Sequence, residues 1–358
     1  MTLSGRHWLP GPVEVDPAVL AALADAPAGH RTRAGEALAA RLQAGLRRLF
    51  RTTRPVMLTS GSATAMMEAA VRSGVTDRVL SIVHGHFGER FARIAEACDK
   101  EVIRLHTPRD RVLEPEDLAA MLDGPPVDAV TLVHVETSTG AVAPVEALLP
   151  LLRQMTDVLV IVDVVGSLGG MPVEADRWGA DFLVASSQKA VGAPPGLALG
   201  VASDRFLATA ATLDGRGRYL DVVSLHHDAE AARFPQTPPL QVAAALACQL
   251  DRIEAEGLEN RWARHRGLRE RLEAWMTDRT DLTWQMPAGR RSDTVSALRL
   301  PPGRSARALV ASLEDDGWFV GTGMDADADH LLRIGHLGEA TADQLDHLLV
   351  TLDRSLAA

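Results

Sequence analysis

The chain has 358 residues, more than one hydrophobic core usually organises, so its length favours two compact domains of unequal size. A composition of 46% hydrophobic and 23% charged residues excludes a disordered or fibrous chain. A formal net charge of −10 excludes a general affinity for nucleic acid or anionic membranes, which need clustered lysines and arginines.

The segment Met1-Thr2-Leu3-Ser4-Gly5-Arg6-His7-Trp8 has no long apolar core, so no signal peptide or membrane anchor is expected and the cytoplasm is the expected setting. The first patterned stretch is Val56-Met57-Leu58, followed by Thr59-Ser60-Gly61-Ser62-Ala63-Thr64 and a helical pattern over about 64–73. Glycine, hydroxyls and a helix start make a phosphate cradle, because unpaired N–H groups and the helix dipole face the anion. A plain Ser/Thr N-cap is the competing reading. A strand over 78–83 then leads through His84-Gly85-His86-Phe87-Gly88 into a helix over 88–98. Phe87, between glycines at a strand-to-helix junction, either stacks on a planar ring or serves the core. His84 and His86 find no third ligand at suitable spacing, so no metal is expected.

Strands over 101–105 and 130–135 and helices over 114–122 and 145–155 follow. The strand at 130–135 ends in Glu136-Thr137-Ser138-Thr139-Gly140, whose hydroxyls either reach the rim of the sheet, with Ser138 bonding a cofactor there, or make a turn. The apolar strand Val158-Leu159-Val160-Ile161-Val162 delivers Asp163 at its C-terminal end, ahead of the small residues Ser167-Leu168-Gly169-Gly170. The strand Phe182-Leu183-Val184-Ala185 runs into Ser186-Ser187-Gln188-Lys189 and the stiff turn Gly192-Ala193-Pro194-Pro195-Gly196. A carboxylate and an amine are thus both expected at strand ends, where open α/β sheets place their ligands. A desolvated lysine acts as nucleophile and base, and a buried carboxylate needs a cationic or hydrogen-bonding partner. Pyridoxal phosphate requires both groups.

Near-continuous apolar strands alternating with helices predict an α/β fold with a mostly parallel sheet wrapped by helices. Beyond residue 240 the texture changes. A helix over 242–256 ends at Gly257, and a smaller α+β region follows, with strands at 296–300, 318–321 and 331–334 and a last helix over about 342–356. Arg333, inside its apolar strand, offers a planar fork for a carboxylate or a solvated edge position. The expected division is an N-terminal segment over 1–20, a large cofactor-binding domain over 21–260 and a small domain over 261–358. Cys98 and Cys248 lack metal-ligand spacing and a disulfide framework, and both read as buried helical thiols of a chain in a reducing compartment.

Taken together, these segments resemble the class V, fold type I, pyridoxal-phosphate aminotransferases, and most closely their alanine–glyoxylate and serine–pyruvate branch. The matched segments are Leu9-Pro10-Gly11-Pro12, Ser60-Gly61-Ser62, Glu136-Thr137-Ser138-Thr139-Gly140, Asp163 with Ser167-Leu168-Gly169-Gly170, Ser187-Gln188-Lys189 with Ala193-Pro194-Pro195-Gly196, Gly257-Leu258-Glu259-Asn260-Arg261-Trp262 and Arg333-Ile334-Gly335. They span nearly the whole chain. The resemblance implies a seven-stranded sheet sandwiched by helices, with a smaller C-terminal domain. It makes Lys189 the Schiff-base lysine and Asp163 the partner of the pyridine nitrogen. Ser62, Ala63, Thr64 and Gln188 would surround the phosphate, Phe87 would stack on the ring, and Ser138 would touch a ring substituent. Arg333, with Ser167 nearby, would meet the substrate. It further implies a homodimer in which Phe234-Pro235-Gln236-Thr237 reaches the partner's phosphate. Three positions depart from the relatives' usual residues: Phe87 for tryptophan, Thr64 for histidine and Phe234 for tyrosine. Phenylalanine cannot donate to a phosphate, so Gln236, Arg233 or Ser62 would have to compensate.

The implied reaction is a ping-pong transfer from a small amino acid such as alanine or serine to a 2-oxo acid such as glyoxylate or pyruvate. The alternative is a pyridoxal-phosphate lyase or cysteine desulfurase on the same fold, which would need a reactive cysteine on a mobile loop. A nucleotide-binding α/β protein lacks its spaced glycine fingerprint after the first strand.

Overall fold

A computed structural model of the chain describes residues 6–119, 124–155 and 157–357. Seven strands form the main sheet: β1 (Met57–Ser60), β2 (Arg78–Val83), β3 (Glu101–His106), β4 (Ala129–Val133), β5 (Leu159–Asp163), β6 (Phe182–Ser186) and β7 (Leu197–Ala202). Their order across the sheet is β1-β7-β6-β5-β4-β2-β3, and only β7 runs antiparallel to its neighbours. All the parallel strands therefore end on one rim.

Both faces of this sheet are covered, and the sequence shows it residue by residue. Val160 and Val162 enter one apolar layer while Leu159 and Ile161 enter the other. In β6, Leu183 and Ala185 face the first layer and Phe182 and Val184 the second. Period-two alternation of this kind, with apolar residues at every position, is what strands sandwiched between helices require.

The expected strand over 130–135 is broken. It leaves the sheet after Val133, and Val135–Glu136 pairs instead with Ala141–Val142 in a short hairpin. The break occurs because His134 N donates to the carbonyl of Asp163 while His134 O accepts from Ala143 N, turning the chain over the rim. The expected helix over 114–122 is described over Pro115–Ala119; residues 120–123 lie outside the described residues.

A second sheet has the order His7–Trp8, Phe319–Thr322, Leu331–Gly335, Val295–Arg299, Thr283–Trp284. The N-terminal strand thus joins the C-terminal sheet, pairing in parallel with Phe319 and Val320. The long helix Leu258–Met276, not anticipated in the sequence, follows directly on the helix Leu240–Glu256, which ends at Gly257. It buries Trp262, Leu268, Leu272 and Met276 amid charged residues that blur its apolar stripe. Cys98 and Cys248 are free but half-buried rather than core residues. Cys98 caps the end of the helix His86–Ala97, where the chain turns out of the helix. Among the described residues, no helix is long and apolar enough to cross a membrane.

Candidate active site

Asp163 is the last residue of β5 and Lys189 follows three residues after β6, its parallel neighbour, with Asp163 in register with Val184. Adjacent parallel strands bring both side chains to one small cavity of about 200 Å³, lined by Phe87, Val133, Val135, Thr137, Asp163, Val165, Gly166 and Lys189. Asp163 is 3% exposed, and one of its oxygens accepts from Val165 N at 2.7 Å. Burial pushes its carboxyl up to about 7; the Val165 bond opposes that shift and the Glu136 charge adds to it. Burial, helped by the Arg333 charge, lowers Lys189 to about 8. The lysine amine donates to the carbonyl of Pro10. Gly11 follows with φ of +118°, and a Cβ there would stand 2.5 Å from the lysine Cδ, so only glycine lets the N-terminal segment cross this close.

Phe87 presents its ring to the cavity with the lysine amine 5.6 Å from its centroid. It stands at the start of the helix His86–Ala97, whose N-cap residue Gly85 supplies no side chain. The fully buried Glu136 caps that helix from a distant strand, its Oε2 accepting Phe87 N at 2.9 Å and Gly88 N at 3.2 Å. A carboxylate at a helix N-terminus is favoured by both the free N–H groups and the dipole. Ser138 joins the same network. Its hydroxyl donates to Glu136 at 2.6 Å and accepts His86 N at 3.1 Å. Arg90 covers the Phe87 ring at 4.6 Å and contacts His86 Nε2 at 3.2 Å, while His86 Nδ1 meets Asp325 at 3.0 Å. His84 is a core residue that accepts Leu113 N at 3.0 Å.

Along the same rim, Ser62 has extended backbone at the N-cap of the helix Ala63–Gly74 but makes no side-chain cap bond. Among the described residues, the first-turn N–H groups of Ala63 and Thr64 have no protein acceptor. Gly61, with φ of +138°, makes the turn and donates to Gly196 O at 2.9 Å. Gln188 is half-buried and its Oε1 has no partner among the described residues. The hydroxyl of Tyr219, the single tyrosine of the chain, lies 3.5 Å from Ser60 O.

Arg333 reaches from the second sheet to the rim, donating to Thr137 O at 2.8 Å and Thr322 O at 2.6 Å. Burial lowers its pKa to about 10, opposed by Glu136. Its Nη2 makes no hydrogen bond among the described residues. Ser167 is fully buried, bonded to His134 Nδ1 at 2.9 Å and to Val164 O at 3.2 Å, and does not line the cavity. Phe234 packs against the main core and Thr237 is exposed; neither lines the cavity of its own chain. Sequence reading did not find the roles of Glu136, Pro10, Val165 or Arg90. The Asp163-Val164-Val165 triplet was the one local signal available, since residues two apart past a strand end can share a face.

A small cavity with an aromatic wall, a buried carboxylate that makes no salt bridge among the described residues, and an amine of lowered pKa fit a planar heteroaromatic carbonyl cofactor. The unpaired N–H groups of Ala63 and Thr64 fit an anion on it. The fold and this site define an α/β protein with an amine and a buried carboxylate together at the rim of its sheet. The aminotransferase class-V family model matches residues 35–338. An uncharacterized aminotransferase of Methanocaldococcus jannaschii is 36% identical over 92% of this chain and 87% of its own. The L-aspartate–glyoxylate aminotransferase of Paracoccus denitrificans is 30% identical over 95% and 88%. The crystal structure of a Nostoc alanine–glyoxylate aminotransferase superposes with a TM-score of 0.92 at 32% identity, covering 98% of this chain and 95% of that one. The chain belongs to the class-V aminotransferases, fold-type-I enzymes that work with pyridoxal phosphate.

Proposed function

We propose that the protein moves the amino group of a small amino acid, such as alanine or serine, to a 2-oxo acid such as glyoxylate or pyruvate. The observation that carries this reading is the convergence of Asp163 and Lys189 on one small cavity walled by Phe87. The glyoxylate-using activities named for the Paracoccus and Nostoc relatives support the choice of acceptor. When bound, pyridoxal phosphate supplies the carbonyl that takes up the amino group and the electron sink that stabilises the Cα carbanion.

The chain's residues divide that work. Lys189, with its pKa near 8, is the group that removes the substrate Cα proton and returns it. Asp163 holds the ring nitrogen protonated, and a cation there restores the ionised carboxylate that burial disfavours. Phe87 would stack on the ring, and Val165 lines the same cavity. Ala63, Thr64, Ser62 and Gln188 receive the phosphate. Arg333 offers its free Nη2 to the substrate carboxylate. Ser138 serves this site through Glu136 and the N-terminus of the Phe87 helix.

The exposed Thr237 and its neighbour Phe234 complete the phosphate site of a second copy, making the active unit a homodimer. The free thiols support a cytoplasmic setting. A desulfurase reading gains nothing from either cysteine. Cys98 sits at the far end of the Phe87 helix, roughly 16 Å from the site by helical rise, and Cys248 does not line the cavity. The deciding test is a half-reaction screen of the yellow holoenzyme against a panel of amino acids without an oxo acid. A donor that bleaches the colour and leaves a 2-oxo acid supports the reading; release of sulfide or ammonia instead overturns it.

A further inference from the structure

Arg261 is 1% exposed on the helix Leu258–Met276, and its terminal nitrogens make four hydrogen bonds. Nη1 donates to Glu256 and to Glu339, each at 2.8 Å. Nη2 donates to two backbone carbonyls, Ala190 at 2.9 Å and Gly338 at 3.2 Å. Ala190 is the residue after Lys189. Gly338 lies just beyond the strand Leu331–Gly335, which carries Arg333. One NH₂ group therefore joins the turn of the lysine to the segment that continues from the carboxylate clamp.

The backbone of the rest of the lysine turn is pinned to the large sheet, to itself and to the N-terminal segment, while Ala190 also packs against Val295 and Leu337 on the side of the second sheet. Ser187 N donates to Leu197 O at 3.1 Å, Gly192 N to Lys189 O at 2.9 Å, and Val13 N to Gln188 O at 3.1 Å. Ala190 O is the bond that leads to Gly338. Around it the packing leaves no slack: a Cβ on Gly192 would stand 2.9 Å from Gln249 Nε2, which itself donates to Glu339 at 2.7 Å. Burying a guanidinium is costly, and here its Nε has no partner among the described residues. Adhesion alone explains such an arrangement poorly, since an apolar side chain of similar volume often serves adhesion as well or better. What a planar fork adds is a fixed angle between the groups it holds.

We propose that Arg261 is a positioning residue that sets the distance and angle between the Lys189 amine and Arg333. The proposal rests on Lys189 being the cofactor lysine. Proton transfer at Cα requires the lysine and the held substrate carboxylate to keep one relative geometry, and a misplacement of about 1 Å can cost on the order of a hundredfold in rate. Arg264 is the internal control. It shares Glu256 and Gly338 with Arg261, at 2.7 Å and 3.1 Å, but makes no bond to the lysine turn.

The experiment compares holoenzymes of wild type, Arg261→Lys and Arg264→Lys by three readouts: melting temperature, the pH midpoint of the visible chromophore, and the single-turnover half-reaction rate. Lysine keeps the charge but cannot hold two carbonyls and two carboxylates in one plane. Arg261→Lys is expected to shift the chromophore midpoint and to slow the half-reaction by at least about tenfold. Arg264→Lys is expected to lower the melting temperature while leaving midpoint and rate at wild-type values. Wild-type midpoint and rate in a folded Arg261→Lys overturn the proposal, as do equal losses in both variants. If Arg261→Lys does not fold, Arg261→Gln with Glu339→Gln, which preserves local charge balance, takes its place under the same criteria. Absence of any chromophore in wild type would instead overturn the cofactor reading.

Discussion

The carboxylate of Glu136 accepts the backbone N–H of Phe87 at 2.9 Å, so the ring that walls the cavity is aimed by a residue 49 positions away in the chain. The same carboxylate takes Gly88 N and the Ser138 hydroxyl, and Gly85 makes room for it, since a Cβ there would meet Glu136 Cγ at 2.7 Å. Glu136→Ala should leave these buried donors unpaired. Its melting temperature should fall in step with a loss of about 2–4 kcal/mol, and its affinity for pyridoxal phosphate should drop at least tenfold. Thermal denaturation and a cofactor fluorescence titration read the two effects separately.

Lys189→Ala should bind pyridoxal phosphate without forming the lysine-linked yellow chromophore, and amino transfer should fall by at least about a thousandfold. Absorbance after cofactor incubation and a single-turnover assay check it. Wild-type turnover in this variant would rule out the assignment of Lys189.

The combined contribution of Asp163 and Lys189 to the stability of the cofactor-free protein should be smallest near pH 7 to 8. Asp163, at about 7 in the folded chain against an ordinary 3.8, holds a proton that the unfolded chain has released, so stability falls as pH rises through that window. Lys189, at about 8 against 10.5, has the opposite effect: the unfolded chain holds the extra proton, and stability rises between about 8 and 10.5. Each slope is at most about 1.4 kcal/mol per pH unit. In melting curves of the apoprotein, the difference between wild type and Asp163→Asn should change between about pH 4 and 7, and that between wild type and Lys189→Met between about pH 8 and 10.5.

Arg333→Lys should raise KM for the amino acid by about ten- to a hundredfold with a smaller change in kcat, because an ammonium cannot bond Thr137 O, Thr322 O and a carboxylate in one plane. Steady-state kinetics over a range of donor concentrations give the split.

Phe234→Tyr should tighten pyridoxal-phosphate binding several-fold by restoring a hydroxyl donor beside the phosphate of the partner subunit. Mixing Lys189→Ala chains with chains altered at both Phe234 and Thr237 should regenerate activity, since one of the two sites in such a heterodimer is then whole. Equilibrium dialysis measures the first effect and a mixing assay the second; no recovery on mixing would place the phosphate contacts within a single chain.

Much of the site was readable because its parts are local. Asp163 and Lys189 each sit at the end of an apolar run, and the Gly61-Ser62 helix start carries its own turn chemistry. The strand β7 escaped notice because its Gly200 and alanines lack β-branched bulk, although it separates β1 from β6. Helix Leu258–Met276 escaped because its charges surround its apolar residues. Glu136 reads as the end of a strand, and nothing adjacent to it announces a helix whose N-terminus it will cap.

The sequence by itself determined the apolar alternation of β4, β5 and β6, and with it a doubly covered parallel sheet whose ends share one rim, because period-two side chains leave such strands no other way to be buried. Only the tertiary structure decided what meets at that rim. The Pro10 carbonyl over Lys189, Glu136 under Phe87, Arg333 arriving from the second sheet, and Arg261 joining the lysine turn to Gly338 are contacts between distant segments. Their energies come from groups that become neighbours only after the chain has packed, so no local pattern encodes them.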